Sequence, residues 1–177
     1  MTGKSGKGLV QVFTGNGKGK TTAALGTILR AAGHGFRVFI VFFMKGNYRY
    51  GEFSTLSKLP NVDMVSFGFR RLTNPADIKP EEIEQGRLAL AAAREAVLSG
   101  NYDLVVLDEV NVALGYKLIE LDDVIGLIKD KPPALELILT GRYADTKLIE
   151  LADLVTEMVK VKHPFDKGIK ARKGIEY

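Results

Sequence analysis

The segment Thr14-Gly15-Asn16-Gly17-Lys18-Gly19-Lys20-Thr21-Thr22 sets closely spaced glycines beside two lysines and three hydroxyls, and that combination suits the holding of phosphate. Glycines let the backbone turn sharply and aim successive N–H groups at phosphate oxygens. A helix beginning near Lys20 would add the positive end of its dipole. Lys20 would set an ammonium on the distal phosphates, and the Thr21 hydroxyl would ligate Mg²⁺. The usual spacing puts a further glycine at the position taken here by Thr14, so this is a variant phosphate loop. A glycine-rich turn with incidental lysines is the competing reading, and the strand-to-helix setting argues against it.

The second such feature is Leu104-Val105-Val106-Leu107-Asp108-Glu109, an apolar run ending in two carboxylates. An acid at the C-terminal edge of a strand holds Mg²⁺, directly or through water, beside the phosphates of nucleotide-binding proteins. Ligands collect at that edge of open α/β sheets. Taken alone, the run reads equally well as a strand ending in a turn; the phosphate loop tips the choice. Lys45-Gly46, after the apolar run Val38 to Phe43, lies at the same edge and is a candidate contact. The two histidines are far apart in the chain and make no metal-binding spacing. His34, in Ala-Gly-His-Gly, reads as a turn residue.

These residues need strands and helices to bring them together. Strand-like and helix-like patterns alternate along the chain, which predicts an α/β fold with a mostly parallel sheet covered by helices. The expected strands are Leu9 to Thr14, Val38 to Phe43, Val62 to Phe67, Leu104 to Leu107, Leu135 to Leu139 and Leu154 to Val161. The expected helices are Thr21 to Ala32, Pro80 to Leu98, Leu121 to Lys129 and Asp145 to Ala152. Pro80 suits a first helical turn, and Ser99-Gly100 a stop. Lys45 to Glu52, Gly68 to Lys79 and the C-terminal tail read as irregular. The whole chain, residues 1–177, is expected to be one domain, with a flexible start over 1–8 and the tail 162–177 near the active site.

The net charge is +4, with 46% hydrophobic and 26% charged residues, which excludes a disordered or fibrous chain. The excess sits at the ends: Lys4, Lys7, Lys18 and Lys20 come before any acid, and the tail from Lys160 is basic again. Without cysteine there is no disulfide, thiol catalysis or thiolate metal site. The longest apolar run, Val38 to Met44, is far short of the roughly 20 residues of a membrane span. A cytoplasmic protein with no membrane partner is expected.

The segments TGNGKGKTTAALG (Thr14 to Gly26), VLDEVNVAL (Val106 to Leu114), LTGRYAD (Leu139 to Asp145) and VKHPFDKGIKARKGIEY (Val161 to Tyr177) together resemble the P-loop type of corrinoid adenosyltransferase. The resemblance runs in register from Gly8 to Tyr177. It implies a RecA-like P-loop fold with about six strands and helices on both faces. The implied reaction moves the 5′-deoxyadenosyl group of ATP to the cobalt(I) of a reduced corrinoid and releases triphosphate, in adenosylcobalamin synthesis or salvage. ATP would lie reversed relative to ordinary P-loop enzymes.

Carried onto this chain, the resemblance implies that Asn16, Gly17, Lys18, Gly19, Lys20, Thr21 and Thr22 bind ATP. Lys20, Thr21, Glu109 and Arg142 form the catalytic set, with Thr21 and Glu109 holding Mg²⁺. Gly68-Phe69 sits on the loop that approaches the corrin ring, and Arg71 stands where some relatives carry Trp. His163 belongs to the family tail and could line the site. A homodimer is implied, and a reductase supplying cobalt(I) is a possible partner. The alternative enzyme class is a P-loop kinase or NTPase cleaving the β–γ bond, with Asp108 or Glu109 activating water or a hydroxyl. Nucleic-acid binding is not expected, since the bases lack an interleaved aromatic platform.

Overall fold

The runs Val38–Phe42 and Leu104–Asp108 have no polar face, so each must be covered on both sides. They lie side by side inside the sheet. The computed structural model describes residues 6–46, 50–69 and 73–177. Its strands are β1 (Val10–Thr14), β2 (Val38–Phe42), β3 (Val62–Ser66), β4 (Leu104–Asp108), β5 (Glu136–Thr140) and β6 (Leu154–Glu157). They form one six-stranded parallel sheet in the order β3-β2-β4-β5-β1-β6. Parallel neighbours require crossovers, here carried by α1 (Lys20–Gly33), α2 (Gly51–Leu56), α3 (Pro80–Leu98), α4 (Val110–Gly115), α5 (Leu121–Asp130) and α6 (Thr146–Leu151).

Side chains alternate across each strand and feed two cores. Leu104 and Val106 pack with Ala24 and Ile28 of α1, while Val105 and Leu107 pack with Ala89 and Ala93 of α3 and Leu127 of α5. Ala24 and Ile28 are one helical turn apart and fully buried, and Ile28→Ala should cost about 2–5 kcal/mol. The small side chains of α3 let it sit close on the sheet. Its start is fixed by Pro80 and by Glu82, whose carboxylate accepts a 2.9 Å hydrogen bond from the Lys79 N–H.

The expected elements are all present, with ends shifted by a few residues at most, except at β6. That strand stops at Glu157 because its partner β1 turns away at Thr14. Beyond it the backbone serves the phosphate loop: Met158 N–H donates to the Thr14 carbonyl (2.8 Å), and Gly17 N–H donates to the Met158 carbonyl (2.6 Å). Three short elements carry no clear sequence signal: α2, α4 and a 3-10 helix at Pro164–Lys167. The first lies in the stretch Lys45 to Glu52 and beyond, read as irregular.

The order of strands decides the site. β5 lies between β1, which leads into the phosphate loop, and β4, which carries the acids. All of these strands end at one edge, so the loop, the two carboxylates and the segment after β5 converge there.

Candidate functional site

The loop after β1 closes into α1, whose start at Lys20 has no side-chain cap and no acid in its first turn. The first N–H groups of that helix are therefore available to an anion. Gly17 is required by contact: a Cβ there would lie 2.7 Å from the Met158 carbonyl oxygen. Lys20 Nζ donates to the Gly15 carbonyl at 2.9 Å and the Gly17 carbonyl at 2.8 Å. Burial, reinforced by the charge of Arg142, pulls its pKa below the usual lysine value against the opposing carboxylates of Glu109 and Asp108. A bound polyanion would restore a full charge partner to this ammonium.

Thr14, the departure from the usual loop, has a structural use. Its hydroxyl accepts a 3.3 Å hydrogen bond from Ala144 N–H, and its carbonyl receives Met158 N–H. A glycine would lose the link to the segment carrying Arg142.

Asp108 is buried, with 1% exposure, and is the centre of a polar network. Its Oδ1 accepts from Thr21 Oγ1 at 2.9 Å and from Thr140 Oγ1 at 2.7 Å, and its Oδ2 lies 2.7 Å from Lys45 Nζ. Glu109, the next residue, is held in a left-handed conformation (φ 64°) with its N–H donating to Thr140 Oγ1 at 3.0 Å. That conformation is strained for a residue with a side chain, and it turns Glu109 into the cavity. Burial, and then the adjacent Asp108 charge, raise its pKa above the usual carboxylate value, opposed by Lys45, Lys20 and Arg142.

Lys18, Lys20, Thr21, Thr22, Glu109 and Arg142 line one cavity of about 560 Å³. The tail forms its far wall through His163 and residues 174–177. Lys18 Nζ donates to the Ile175 carbonyl (3.0 Å) and to Glu176 Oε1 (2.9 Å). Arg172, and then Lys18, hold the Glu176 carboxyl well below the ordinary carboxylate range. His163 caps the short 3-10 helix, its Nδ1 accepting from Phe165 N–H at 3.2 Å.

Among the residues expected at the site, Asn16 is exposed and off the cavity lining. Phe69 lines a separate small cavity with Phe43, Met44 and Gln85. Gly68 N–H donates to Gln85 Oε1 at 3.0 Å, which fixes the start of that loop. Arg71 lies outside the described residues. His34 stays at the end of α1, exposed. The sequence pattern gave no weight to Tyr50, Glu52 or Glu176, which also line the main cavity. Lys45 lies at the sheet edge that the sequence predicts for it, but no spacing rule reveals its pairing with Asp108.

A phosphate loop opening a helix, an acid-bearing strand one strand removed from it, and a lysine, hydroxyl and carboxylate around one cavity define a P-loop nucleotide-binding protein. The family described as ATP:corrinoid adenosyltransferase BtuR/CobO/CobP matches residues 6–177. The corrinoid adenosyltransferase of Pseudomonas aeruginosa (strain PAO1) is 38% identical over 171 residues, covering 97% of this chain and 84% of the relative. That of Escherichia coli (strain K12) is 37% identical, covering 97% and 86%, and corrinoid adenosyltransferase CobA of Salmonella typhimurium (strain LT2) is 39% identical with the same coverage. The chain belongs to the ATP:corrinoid adenosyltransferase family.

Proposed function

We propose that this protein transfers the 5′-deoxyadenosyl group of ATP to the cobalt(I) of a reduced corrinoid and releases inorganic triphosphate, in the formation of adenosylcobalamin. The observation that carries the reading is the convergence of Lys20, Thr21, Glu109 and Arg142 on one cavity. In the reaction the cobalt(I) electron pair forms the bond to C5′. The bond from C5′ to the α-phosphate oxygen breaks, and its electron pair leaves with triphosphate. No proton has to be removed from the nucleophile, so no general base is needed. The protein's contribution is orientation and stabilisation of the leaving charge.

Lys20, Lys18 and the loop N–H groups receive the triphosphate in this reading, with Thr22, Gly17, Gly19 and Asn16 completing the loop. Arg142 adds positive charge from the segment after β5. The donors beside the loop are the Thr21 hydroxyl and the Asp108 and Glu109 carboxylates, hard oxygens that fit Mg²⁺. Thr21 and Glu109 would hold that ion, which draws charge from the triphosphate. Asp108, with Thr21, Thr140 and Lys45 already on its oxygens, acts as the group that orients them. Phe69 is assigned to the corrinoid side, where an aromatic face packs against the macrocycle.

The chain works in this reading as one domain over 1–177, with 162–177 as a wall of the site; of the start expected to be flexible, residues 1–5 lie outside the described residues and Gly8 is held by its N–H on the Pro133 carbonyl at 2.7 Å. A homodimer is proposed with it; the exposed apolar side chains of β6, Leu154 and Val155, are a surface that such pairing could use. A reductase delivering cobalt(I) is the proposed protein partner, and the cytoplasm the proposed location. No helix among the described residues is long and apolar enough to cross a membrane.

The test is incubation with Mg-ATP and chemically reduced corrinoid, following the corrinoid absorption spectrum and identifying the phosphate product. Adenosylated corrinoid with triphosphate is expected. ADP and phosphate with an unchanged corrinoid spectrum would overturn the reading.

A further inference from the structure

Lys45 is committed at both ends. Its ammonium is 2.7 Å from Asp108 Oδ2, with Glu52 at 4.0 Å, and its side chain is only 11% exposed. The Tyr50 ring centroid lies 4.9 Å from Nζ and that of Phe42 lies 5.3 Å away, so aromatic faces add to the hold on the charge. Removal of a partner from such a buried pair leaves an uncompensated charge.

The backbone of Lys45 is tied to a different element. Lys45 N–H donates to the Phe67 carbonyl at 2.9 Å, and Ser66 Oγ donates to the Lys45 carbonyl at 2.7 Å. Gly46 packs so closely on the Gly68 carbonyl that a Cβ there would overlap it. The segment that leads into Gly68-Phe69 is thus fastened to Lys45 by main-chain contacts, while the Lys45 side chain is fastened to the carboxylate that holds Thr21. From the Thr21 hydroxyl through Asp108 and Lys45 to Ser66 and Phe67, every contact is 2.7–2.9 Å. This chain of contacts links the phosphate loop to the loop after β3.

We propose that Lys45 is a positioning residue that couples the two half-sites, so that occupancy of the triphosphate site alters the affinity of the Gly68–Phe69 loop for corrinoid, and the reverse. The physical cause is competition for one carboxylate. A nucleotide and its counter-cation at Thr21 change the field at Asp108, and with it the attraction that holds the Lys45 ammonium. Any shift of Lys45 is passed to residues 66–68 through its main chain. Thermodynamic linkage requires the effect to be equal in both directions. The inference rests on Phe69 facing the corrinoid, and it goes beyond that assignment by naming what joins it to the nucleotide.

The experiment measures equilibrium binding of a cobalt(II) corrinoid, which lacks the reactive electron pair, with and without Mg-ATP, by calorimetry on the full chain. The ratio of the two dissociation constants is expected to depart from one by roughly fivefold or more in the wild type. Lys45→Met should bring it near one, and Lys45→Arg should restore part of it. Ser66→Ala leaves the ammonium–carboxylate pair in place and removes one of the two hydrogen bonds beyond it; it should bring the ratio part of the way towards one while Mg-ATP binding alone stays unchanged. This variant decides the matter if Lys45→Met does not fold. A wild-type ratio of one, or variants that keep the wild-type ratio, would overturn the coupling while leaving the adenosyl transfer reading intact. Absence of any corrinoid binding by the wild type would sink both.

Discussion

The Thr21 hydroxyl donates to Asp108 Oδ1 at 2.9 Å across 87 positions of sequence. This bond orients the hydroxyl so that an oxygen lone pair faces the cavity, where Thr21 is proposed to meet Mg²⁺. Thr21→Val keeps the shape and removes the oxygen. Its kcat with Mg-ATP should fall by roughly 10² or more, the scale of losing one preorganised electrostatic contact. Thermal stability should change little, since Asp108 keeps Thr140 and Lys45. Retention of wild-type kcat would remove Thr21 from the catalytic set.

Lys20 lies on the loop carbonyls of Gly15 and Gly17, and its ammonium is proposed to meet the phosphates when ATP binds. Lys20→Ala should weaken ATP binding by roughly 10- to 100-fold, as expected for loss of a charge-assisted hydrogen bond. Titration calorimetry without corrinoid isolates this step. An unchanged ATP affinity would contradict the assignment.

Glu109 is expected to trade stability for function. Its folded pKa lies above the ordinary carboxylate value of 4.5, first through burial and then through Asp108. Between those two values the folded state binds more protons than the unfolded state, so this group lowers stability as pH rises from 4.5 through the folded pKa. Glu109→Gln should therefore stabilise the free protein at neutral pH, lose that advantage as pH falls below 4.5, and lose activity with Mg-ATP. Denaturant unfolding at several pH values reads the first effect. A destabilised variant at pH 7 would contradict the buried like-charge account.

Glu176 places a carboxylate on Lys18 inside the cavity proposed for triphosphate. Its negative charge opposes the incoming polyanion. Glu176→Gln should tighten ATP binding by a small factor, most visibly at low ionic strength, where exposed charges are least screened. Weaker ATP binding in this variant would mean that the tail supports the nucleotide rather than competing with it.

Phe69 lies off the phosphate cavity. Phe69→Ala should raise the corrinoid KM and leave ATP affinity in the absence of corrinoid unchanged. Corrinoid turnover equal to the wild type would remove this loop from the corrinoid site.

Much of the architecture follows from local patterns. The apolar runs of β2 and β4 state that both faces are covered, and Pro80 with its following acids marks the start of α3. Helices α2 and α4 each span only 6 residues. Such short helices are set by tertiary packing, because a single turn or two has little stability of its own. For the same reason β6 could be recognised as a strand while its end could not. The end is decided by where β1 turns into the phosphate loop.

The site divides along the same line. The sequence alone determined the phosphate loop and the acid at the end of β4, because their chemistry is local: glycines, a lysine and a hydroxyl within one turn of backbone, and carboxylates closing an apolar run. Only the tertiary structure decided how each carboxylate is partnered. Insertion of β5 between β1 and β4 brings Thr140 to Asp108, and the return of β2 brings Lys45 to the other oxygen of that carboxylate. Glu109 is left facing the cavity. These pairings join residues distant in sequence, and they are fixed by strand order, to which residue spacing along the chain is blind.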